Sequence, residues 1–591
     1  MESKRSKNIE KPEKFSMKEA LTEVQIEESR FVKKEKFSIR DFLWNYPSLI
    51  KRFFNRLIPF SYIFIFSIVA VLLLFLLESN VIARIVDDSK VKDTFVEGSV
   101  GAISTFNPLF ESGNYVDRAV QELVFDRFVY INGDGELEEG IAKEWSISDD
   151  GLTYEFKIKD DIYWQDGTKL SIEDVFFTFE IAKVLAEEYS FDSVGISLIG
   201  IEFQKSGKDT IRFNLEEPNP AFFEAISLYI VPKSKLEGED LTQLPFNMFA
   251  RYPLGTGRYM VTRTEQNSVY LTDNKYDKYD ADVKNIVLKV FPDKESLEMS
   301  FRIGVLDAIS GWDYELMSFV EEYSNIKEYL MVEENRTKLM FFNIRKDFFK
   351  ERDIRLGINY LIDREKLLKE SNVGAIESKG PFYEESWAFN QEMEYYGYDP
   401  EKAKTYLSNL GYEKNEDSGY FENSNQEILS FTLSYFESVT NERLVRILQN
   451  MLKKEGVVLK LEKLNYNQIT QEIIATRDFE VLLYEVETTI DPDQYNLWHS
   501  LKSNYPDLNI SGYSYERVDI LLEDARKTKD KALRKEKYDL FQKYLMADAP
   551  VVFLYNPRFY YFVKDSITGI DLDSIDYSYQ RFYNIQDWKI R

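Results

Sequence analysis

Between residues 153 and 183 the spacing of hydrophobic positions changes from two residues to three or four. Apolar and polar residues first alternate over 153–159, which predicts a strand with one buried face. Asp-Gly at 166–167 then predicts a tight turn, because glycine tolerates positive φ. Ser171 and Asp174 have the spacing of a helix-capping pair. The following apolar stripe predicts an amphipathic helix: Ile172, Val175, Phe176, Phe179 and Ala182.

Similar changes of period continue along the chain after residue 94, with no low-complexity break and no obvious internal repeat. They predict a mixed α/β architecture in closely joined domains. The clearest elements are a strand opening 94–110, a hairpin at 142–159, a glycine turn and two antiparallel strands at 253–276, one helix over 354–367, and a strand-helix-strand unit from about 429 to 464.

One uncharged, mostly apolar run, residues 57–77, has the length of a transmembrane helix. Lysine and arginine dominate the segment before it, and acidic residues are mixed with few basic ones after it. This asymmetry predicts an uncleaved signal anchor with residues 1–50 as a disordered cytoplasmic tail and the rest of the chain exported. A cleaved signal peptide and a buried core helix are the competing interpretations.

Composition excludes several function classes. The formal charge of −27 argues against nucleic acid as a partner, since phosphate binding needs clustered lysine and arginine. The absence of cysteine excludes disulfides, thiolate nucleophiles and a lipid-modified cysteine. With a single histidine, His499, and no recognised catalytic motif, we expect no enzyme, no cofactor and no metal site. The 15% of aromatic residues suits large cores and an aromatic-lined cavity.

Seven segments together resemble one family. They are "NPLF", "AKEWSISDDGLTYEFKIKDDIYWQDGTKLSIEDVFFTF", "LGTGRY", "FFNIRKDFFKERDIRLGINYLIDREKL", "YDPEKAKTYLSNLGY", "DFEVLLYEVETTIDPDQY" and "DAPVVFLY". In this order they resemble the extracytoplasmic solute-binding proteins of the peptide/nickel class, which are the receptors of peptide-importing ABC transporters. The resemblance runs from about residue 95 to residue 570.

The resemblance implies a two-lobed α/β fold like that of the periplasmic binding proteins (class II, with an extra small domain), preceded by one transmembrane helix. Two lobes joined by crossing strands would close around a ligand. The expected boundaries are 95–115 with 250–335 and 548–591 for the first lobe, 116–249 for the accessory domain, and 336–547 for the second lobe.

The resemblance also suggests ligand-binding positions. In peptide-binding members, an aspartate four residues before the proline of the "DP" segment pairs with the α-amino group of the ligand; here that position is Thr488. A threonine suits a neutral or hydroxylated ligand better than an ammonium group. Glu487 is adjacent and would replace the charge only if the strand shifted by one residue. The other candidates are Asn107, Trp312, Trp387 and Asp491, although Asp491 also suits a turn cap and Trp387 an ordinary core ring.

The resulting hypothesis is a membrane-anchored receptor with a monomeric extracytoplasmic domain. It would bind oligopeptides or a related small solute by closure of its lobes and deliver them to ABC permease subunits. An anchored sensor and an extracytoplasmic chaperone are alternatives, suggested by the long segment before residue 57, and a secreted hydrolase is a third.

Overall fold

The computed structural model describes residues 93–591 except 111–113, 133–134, 190–193, 220–221, 279–280, 312–322, 466 and 574. The predicted tail (1–50) and the predicted transmembrane helix (57–77) lie outside the described residues, so both stay predictions. Within the described part of the chain, none of the helices combines the length and the apolar character that crossing a membrane requires.

Strands and helices alternate along the described chain. The strands are β1 (Thr94–Val100), β2 (Val129–Ile131), β3 (Leu137–Glu139), β4 (Ala142–Ile147), β5 (Thr153–Ile158), β6 (Glu202–Lys205), β7 (Thr210–Asn214), β8 (Tyr259–Glu265), β9 (Ser268–Asp273), β10 (Asn285–Phe291), β11 (Ala308–Gly311), β12 (Ile326–Val332), β13 (Arg336–Phe342), β14 (Ile376–Glu377), β15 (Glu413–Lys414), β16 (Phe421–Glu422), β17 (Ser430–Phe436), β18 (Val458–Leu464), β19 (Val481–Glu487), β20 (Val551–Asn556), β21 (Arg558–Lys564), β22 (Ile567–Thr568) and β23 (Lys589–Ile590).

The α-helices are α1 (Tyr115–Val124), α2 (Ile172–Tyr189), α3 (Phe222–Ile226), α4 (Lys233–Leu236), α5 (Met248–Arg251), α6 (Lys294–Arg302), α7 (Asp347–Lys350), α8 (Arg352–Tyr360), α9 (Arg364–Ser371), α10 (Pro400–Asn409), α11 (Val439–Glu455), α12 (Tyr495–Trp498), α13 (Glu516–Lys527) and α14 (Lys531–Asp548). Short 3-10 helices lie at Ile196–Leu198, Leu241–Gln243, Ser500–Lys502, Ser578–Phe582 and Ile585–Asp587, and a π-helical turn lies at Gln468–Ile474.

Two sheets, of seven and four strands, share one continuous hydrophobic core. The larger sheet has the order β12-β21-β11-β1-β10-β9-β8, and its central strand β1 runs parallel to both β10 and β11. The smaller sheet has the order β4-β5-β7-β6 and is antiparallel throughout. A second apolar cluster covers the other face of the larger sheet and includes α6.

The strand β5 and the helix α2 confirm the elements predicted before and after the Asp-Gly turn. Tyr154, Phe156 and Ile158 are all buried, whereas the residues between them are only partly covered. At the start of α2, the Ser171 N–H and Oγ both donate hydrogen bonds to the Asp174 carboxylate, at 3.0 and 2.9 Å. The predicted hairpin at 142–159 is also confirmed, as the antiparallel pair β4 and β5.

The six-stranded sheet has its own core and the order β14-β20-β13-β19-β17-β18. β17, α11 and β18 form the predicted strand-helix-strand unit, with the two strands parallel. α11 begins with a side-chain cap from Ser438 and ends at Gly456, whose φ is 95°. Glycine suits that position because a left-handed residue terminates the helix without a Cβ clash.

The prediction of one helix over 354–367 is wrong, because α8 and α9 are separate helices. The Asp363 carboxylate accepts a hydrogen bond from the Lys366 N–H at 3.0 Å, so Asp363 starts a new helix. The apolar spacing continues through this break, since Leu361 and Leu367 are both buried. Periodicity alone therefore does not reveal the break.

The two cores define two lobes that the chain connects twice. We call residues 93–332 with 558–591 the first lobe, and residues 336–556 the second lobe. The connections are residues 333–335, between β12 and β13, and Pro557, between β20 and β21. Because β12 pairs with β21 and β13 pairs with β20, two adjacent antiparallel strands run through both lobes.

Hydrogen bonds tie the two connections to each other. The Glu333 N–H donates to the Pro557 carbonyl at 2.9 Å, and the Asn556 side-chain amide donates to the Arg336 carbonyl at 2.8 Å. The C-terminal segment of the first lobe also contacts this point, because the backbone N–H of Ser578 donates to the Glu333 carboxylate at 3.0 Å. The crossing is therefore a narrow, hydrogen-bonded hinge between two independent cores.

Candidate functional site

The lobes meet along a line of side-chain contacts that we call the interlobe seam. It is formed by Arg118, Glu224 and Tyr577 of the first lobe and by Glu487, Thr488 and Asp491 of the second lobe. Each of its contacts joins one residue of the first lobe to one residue of the second lobe, so these contacts depend on the lobes being closed.

Helix α1 carries Arg118 to the seam, and both of its ends are fixed. The Asn114 side chain caps the start by accepting a hydrogen bond from the Val116 N–H at 2.9 Å. At the other end, the Val124 carbonyl accepts from the Gly257 N–H at 2.8 Å and from the Gln165 side-chain amide at 3.2 Å. The "LGTGRY" and "YWQDGT" segments therefore meet at the end of α1 and set its position.

Glycine is required where "LGTGRY" passes the end of α1. A Cβ atom on Gly255 would lie 1.8 Å from the Val124 carbonyl oxygen, and one on Gly257 would lie 2.6 Å from the same carbonyl carbon. Such distances are shorter than any non-bonded contact. The glycines serve helix packing, which agrees with the absence of any phosphate-loop sequence after them.

The ion pair between Arg118 and Glu487 is bidentate. Arg118 Nη1 donates to Glu487 Oε2 at 2.9 Å, and Nη2 donates to Oε1 at 2.7 Å. The guanidinium also lies over the ring of Tyr579, 3.9 Å from its centroid, and within 5.7 Å of the Tyr577 centroid. Burial alone would raise the pKa of Glu487, but Arg118 more than offsets this effect and the pKa lies below its usual value.

A second layer of charges lies behind this pair, at the hinge. Arg336 Nη1 donates to the Glu333 carboxylate at 2.8 Å, and Arg336 also bonds Glu485, which Lys338 approaches at 3.4 Å. Burial would raise the pKa of Glu485, but Lys338 and Arg336 together lower it to about 2. Glu485 is thus ionised and is paired within the protein.

Thr488, the position that the resemblance assigned to the ligand's amino group, contacts the hinge backbone. Its N–H and its hydroxyl both donate to the Asn335 carbonyl, at 2.7 and 3.2 Å, and its own carbonyl accepts from the Tyr577 hydroxyl at 3.1 Å. Glu487 points instead to Arg118. The structure therefore places both residues at the seam, and their role in ligand binding stays a prediction.

Asp491 forms a bidentate ion pair with Arg534 of α14, with Nη1 2.6 Å from Oδ2. Its backbone N–H donates across the seam to the Glu224 carboxylate. The nearby Asp493 is likewise paired, with Arg526 at 2.6 Å. Burial of Glu224, together with the charges of Asp491 and Asp493, raises the pKa of its carboxyl to about 8.

Trp387 lies close to Asp491, through a shared contact with Arg534. The half-buried Trp387 ring packs 5.9 Å from the Tyr538 ring, and the Arg534 guanidinium lies 5.9 Å from the Trp387 ring centroid. The structure thus brings Trp387, Asp491, Thr488 and Glu487 to one side of the second lobe. Whether Trp387 lines the ligand cleft stays a prediction.

Asn107 lies elsewhere, and Trp312 lies outside the described residues. The Asn107 side chain is fully buried, donates to the Leu244 carbonyl at 3.1 Å and accepts from the Leu109 N–H at 3.2 Å. These bonds hold a loop of the first lobe together, and a ligand-wall role for Asn107 stays a prediction.

Sequence reasoning missed four residues of the seam region: Arg118, Glu224, Tyr577 and Tyr579. No local motif marks them, because the partners of Arg118, Glu224 and Tyr577 are 369, 267 and 89 positions away. Tyr579 stacks on Arg118. His499 is buried, stacks on Tyr495 with 4.1 Å between centroids and lies 3.2 Å from Glu523. Among the described residues, no group of acidic or histidine side chains is arranged to hold a metal ion.

Two cores, a double crossing and a charged seam define a two-lobed binding protein of the mixed α/β class. The model of the family "Bacterial extracellular solute-binding proteins, family 5 Middle" matches residues 136–507. The chain therefore belongs to family 5 of the bacterial extracellular solute-binding proteins. Members of this family are binding proteins and not enzymes, which confirms the expectation that the chain is no enzyme and removes the hydrolase alternative.

Similar proteins match over most of their length. The "Oligopeptide-binding protein AppA" of Bacillus subtilis is 22% identical over 513 residues, which cover 83% of this chain and 91% of that protein. The "Dipeptide-binding protein" of Escherichia coli is 22% identical, with 84% of this chain and 95% of that protein covered. Among solved structures, NikZ from Campylobacter jejuni in complex with Ni(L-His) has a TM-score of 0.71 and 26% identity, covering 84% of this chain and 99% of NikZ. These matches confirm the two-lobed fold.

Proposed function

We propose that this chain is the solute receptor of an ABC importer, that it binds oligopeptides or a related small solute, and that its lobes close around the ligand. The names of its relatives support this choice, since they include an oligopeptide-binding protein, a dipeptide-binding protein and putative ABC transporter peptide-binding proteins. One structural neighbour contains a bound nonapeptide and another contains the peptide STSA.

The location and finer domain plan are part of the proposal. Residues 57–77 would anchor a monomeric extracytoplasmic domain in the cell membrane, with the N-terminus in the cytoplasm. The accessory domain at 116–249 would make the fold a class II binding protein with an extra small domain. The hydrophobic run and its flanking charges support the anchor, and the four-stranded sheet supports the accessory domain.

The polar character of the interlobe seam is the observation that supports closure about the hinge. Its contacts are ion pairs and hydrogen bonds between side chains or to backbone groups, whereas each lobe has a complete apolar core of its own. Opening the lobes would therefore break polar contacts, which water can replace, without exposing either core. A ligand that touches both lobes would shift the equilibrium towards the closed form by its differential affinity for that form.

One arginine near the hinge has a side-chain nitrogen without a hydrogen-bond partner among the described residues. Arg558 begins β21 directly after the second crossing, and its Nε is buried without a hydrogen bond. Tyr383 lies in the same loop as Trp387. Burial and nearby carboxylates raise the pKa of Tyr383, and the charge of Arg558 offsets part of this rise. An arginine whose Nε has no hydrogen bond, close to a tyrosine, suits a carboxylate of a peptide-like ligand.

The experiment that tests this function begins with the full-length chain purified in detergent without refolding. Native mass spectrometry should detect a co-purifying solute, and a peptide library should contain members that raise the melting temperature. Failure to find either a bound solute or a stabilising peptide would contradict the proposal. A protease added to intact cells should cleave the domain after residue 93 if the predicted orientation is right.

A further inference from the structure

The Arg118–Glu487 pair stands out because its two charges come from different lobes and satisfy each other. Both carboxylate oxygens of Glu487 accept from Arg118, at 2.7 and 2.9 Å. The rings of Tyr577 and Tyr579 lie against the guanidinium. The side chains are 26% and 34% exposed, so the pair lies at the mouth of the seam and not in either core.

Arg118 occupies both carboxylate oxygens of Glu487, with which a cationic group of a ligand would otherwise pair. Glu487 is next to Thr488, whose hydroxyl is bonded to the hinge, so Glu487 is the carboxylate at the end of β19. Its pKa is lowered, which keeps it ionised and paired at neutral pH. An ammonium group entering here would have to displace a planar, bidentate guanidinium that belongs to the same chain.

The intramolecular cation has a large advantage in this competition. Arg118 is held on α1, whose two ends are fixed, so it is present at high effective concentration whenever the lobes are closed. An unacylated ligand amine would also lose its hydration without finding an unpaired carboxylate as its ion-pair partner. Two other carboxylates of the second lobe near the seam already have cations, Glu485 with Arg336 and Lys338, and Asp491 with Arg534.

We propose that Arg118 is a specificity-determining residue, which neutralises Glu487 in the closed protein so that the bound solute presents an uncharged group, such as an acylated nitrogen or an amide, at this end of the cleft. The inference rests on the proposed function, because it refines the class of peptide-like solute that the lobes enclose. Its chemistry predicts that removal of Arg118 converts Glu487 into an acceptor for a ligand ammonium.

The test compares peptides of identical sequence with a free and with an N-acetylated amino terminus, taken from the library members that stabilise the protein. Calorimetric titrations of the full-length chain at about 0.15 M salt give the affinity ratio for wild type, Arg118→Met and the double variant Arg118→Met/Glu487→Gln. Arg517→Met is the matched control, since Arg517 lies on the surface of the second lobe beside Tyr544. Arg118→Gln serves as a second variant if Arg118→Met does not fold.

Wild type is expected to bind the acetylated form at least as well as the free amine. Arg118→Met should shift the ratio of the two affinities towards the free amine by about tenfold or more, because a charge-assisted hydrogen bond from the ligand ammonium to Glu487 contributes about that factor. The double variant should lose this gain, because it lacks the Glu487 carboxylate. The control should leave the ratio unchanged. A wild type that prefers the free amine about tenfold, or a ratio that stays constant in both Arg118 variants, would overturn the inference.

The same titrations separate this inference from the proposed function. If wild type binds peptides and only the predicted shift is missing, the inference fails and the peptide receptor remains. If wild type binds only the acetylated form and Arg118→Met also binds the free amine, the inference is supported. Absence of binding by every protein to either form overturns both statements together.

Discussion

The carboxyl of Glu224 should make closure of the lobes dependent on pH. It lies on α3 of the first lobe and accepts a hydrogen bond from the Asp491 N–H of the second lobe. The carboxylates of Asp491 and Asp493 and the hydroxyl of Tyr577 also face it. Burial, reinforced by the two aspartates, raises its pKa from 4.5 to about 8 in the closed form.

The sign and size of the effect follow from linkage. Because the closed form holds the Glu224 proton more tightly than an open form with Glu224 in water, closure is fully stabilised below about pH 4.5, and this stabilisation is lost as the pH rises through about 8. A rise from 4.5 to about 8 corresponds to about 5 kcal/mol at most. Since Glu224 is partly exposed, solvent screening lowers the expected effect to about 2 kcal/mol, roughly thirtyfold in affinity.

The assay is the affinity for one stabilising peptide between about pH 5 and about pH 9, in wild type and in Glu224→Gln. Wild type should bind more weakly as the pH rises, whereas Glu224→Gln should show a nearly flat profile, because glutamine copies the protonated carboxyl. Glu216→Gln is the matched control, since Glu216 is an exposed carboxylate of the same lobe. Equal pH profiles for wild type and Glu224→Gln would refute the reasoning.

Three further predictions concern the scaffold and the hinge. Arg581→Met should lower the free energy of unfolding of the first lobe by about 3–5 kcal/mol in urea titrations, because it leaves the buried Glu97 carboxylate without its cation; a loss below about 1 kcal/mol would contradict this. Gly255→Ala should lower the melting temperature by several degrees and weaken ligand binding, whereas Gly397→Ala, whose Cβ meets only one atom at 3.9 Å, should not; equal melting temperatures would contradict the packing argument. Arg558→Met should weaken binding of a peptide with a free C-terminal carboxylate about tenfold relative to its amide, and an unchanged ratio would exclude Arg558 as the carboxylate partner.

Local patterns predicted the elements whose causes are local. The alternation over β5, the capping pair at Ser171 and Asp174 and the parallel unit of β17 and β18 each depend on residues close in sequence, and each is present. The break between α8 and α9 was missed because a helix cap at Asp363 interrupts the backbone without interrupting the apolar period.

The seam could not be predicted from such patterns. Arg118 and Glu487 are separated by 369 positions, and neither has a neighbour in the sequence that signals the other. The resemblance indicated Thr488 as a site, yet it gave no reason for the Thr488 hydroxyl to bond the hinge backbone at Asn335. Charge pairing across the lobes depends on how the two lobes pack against each other. That arrangement is set by the tertiary structure of both lobes and not by any short sequence segment.

The central claim is that two rigid lobes close around a solute. The chain has no cysteine, so Lys208→Cys in the first lobe and Glu416→Cys in the second, both exposed, give two unique labelling sites for a distance measurement between spin labels. Adding a peptide that raises the melting temperature should shorten the mean distance and narrow its distribution. Identical distributions with and without the bound peptide would contradict the account.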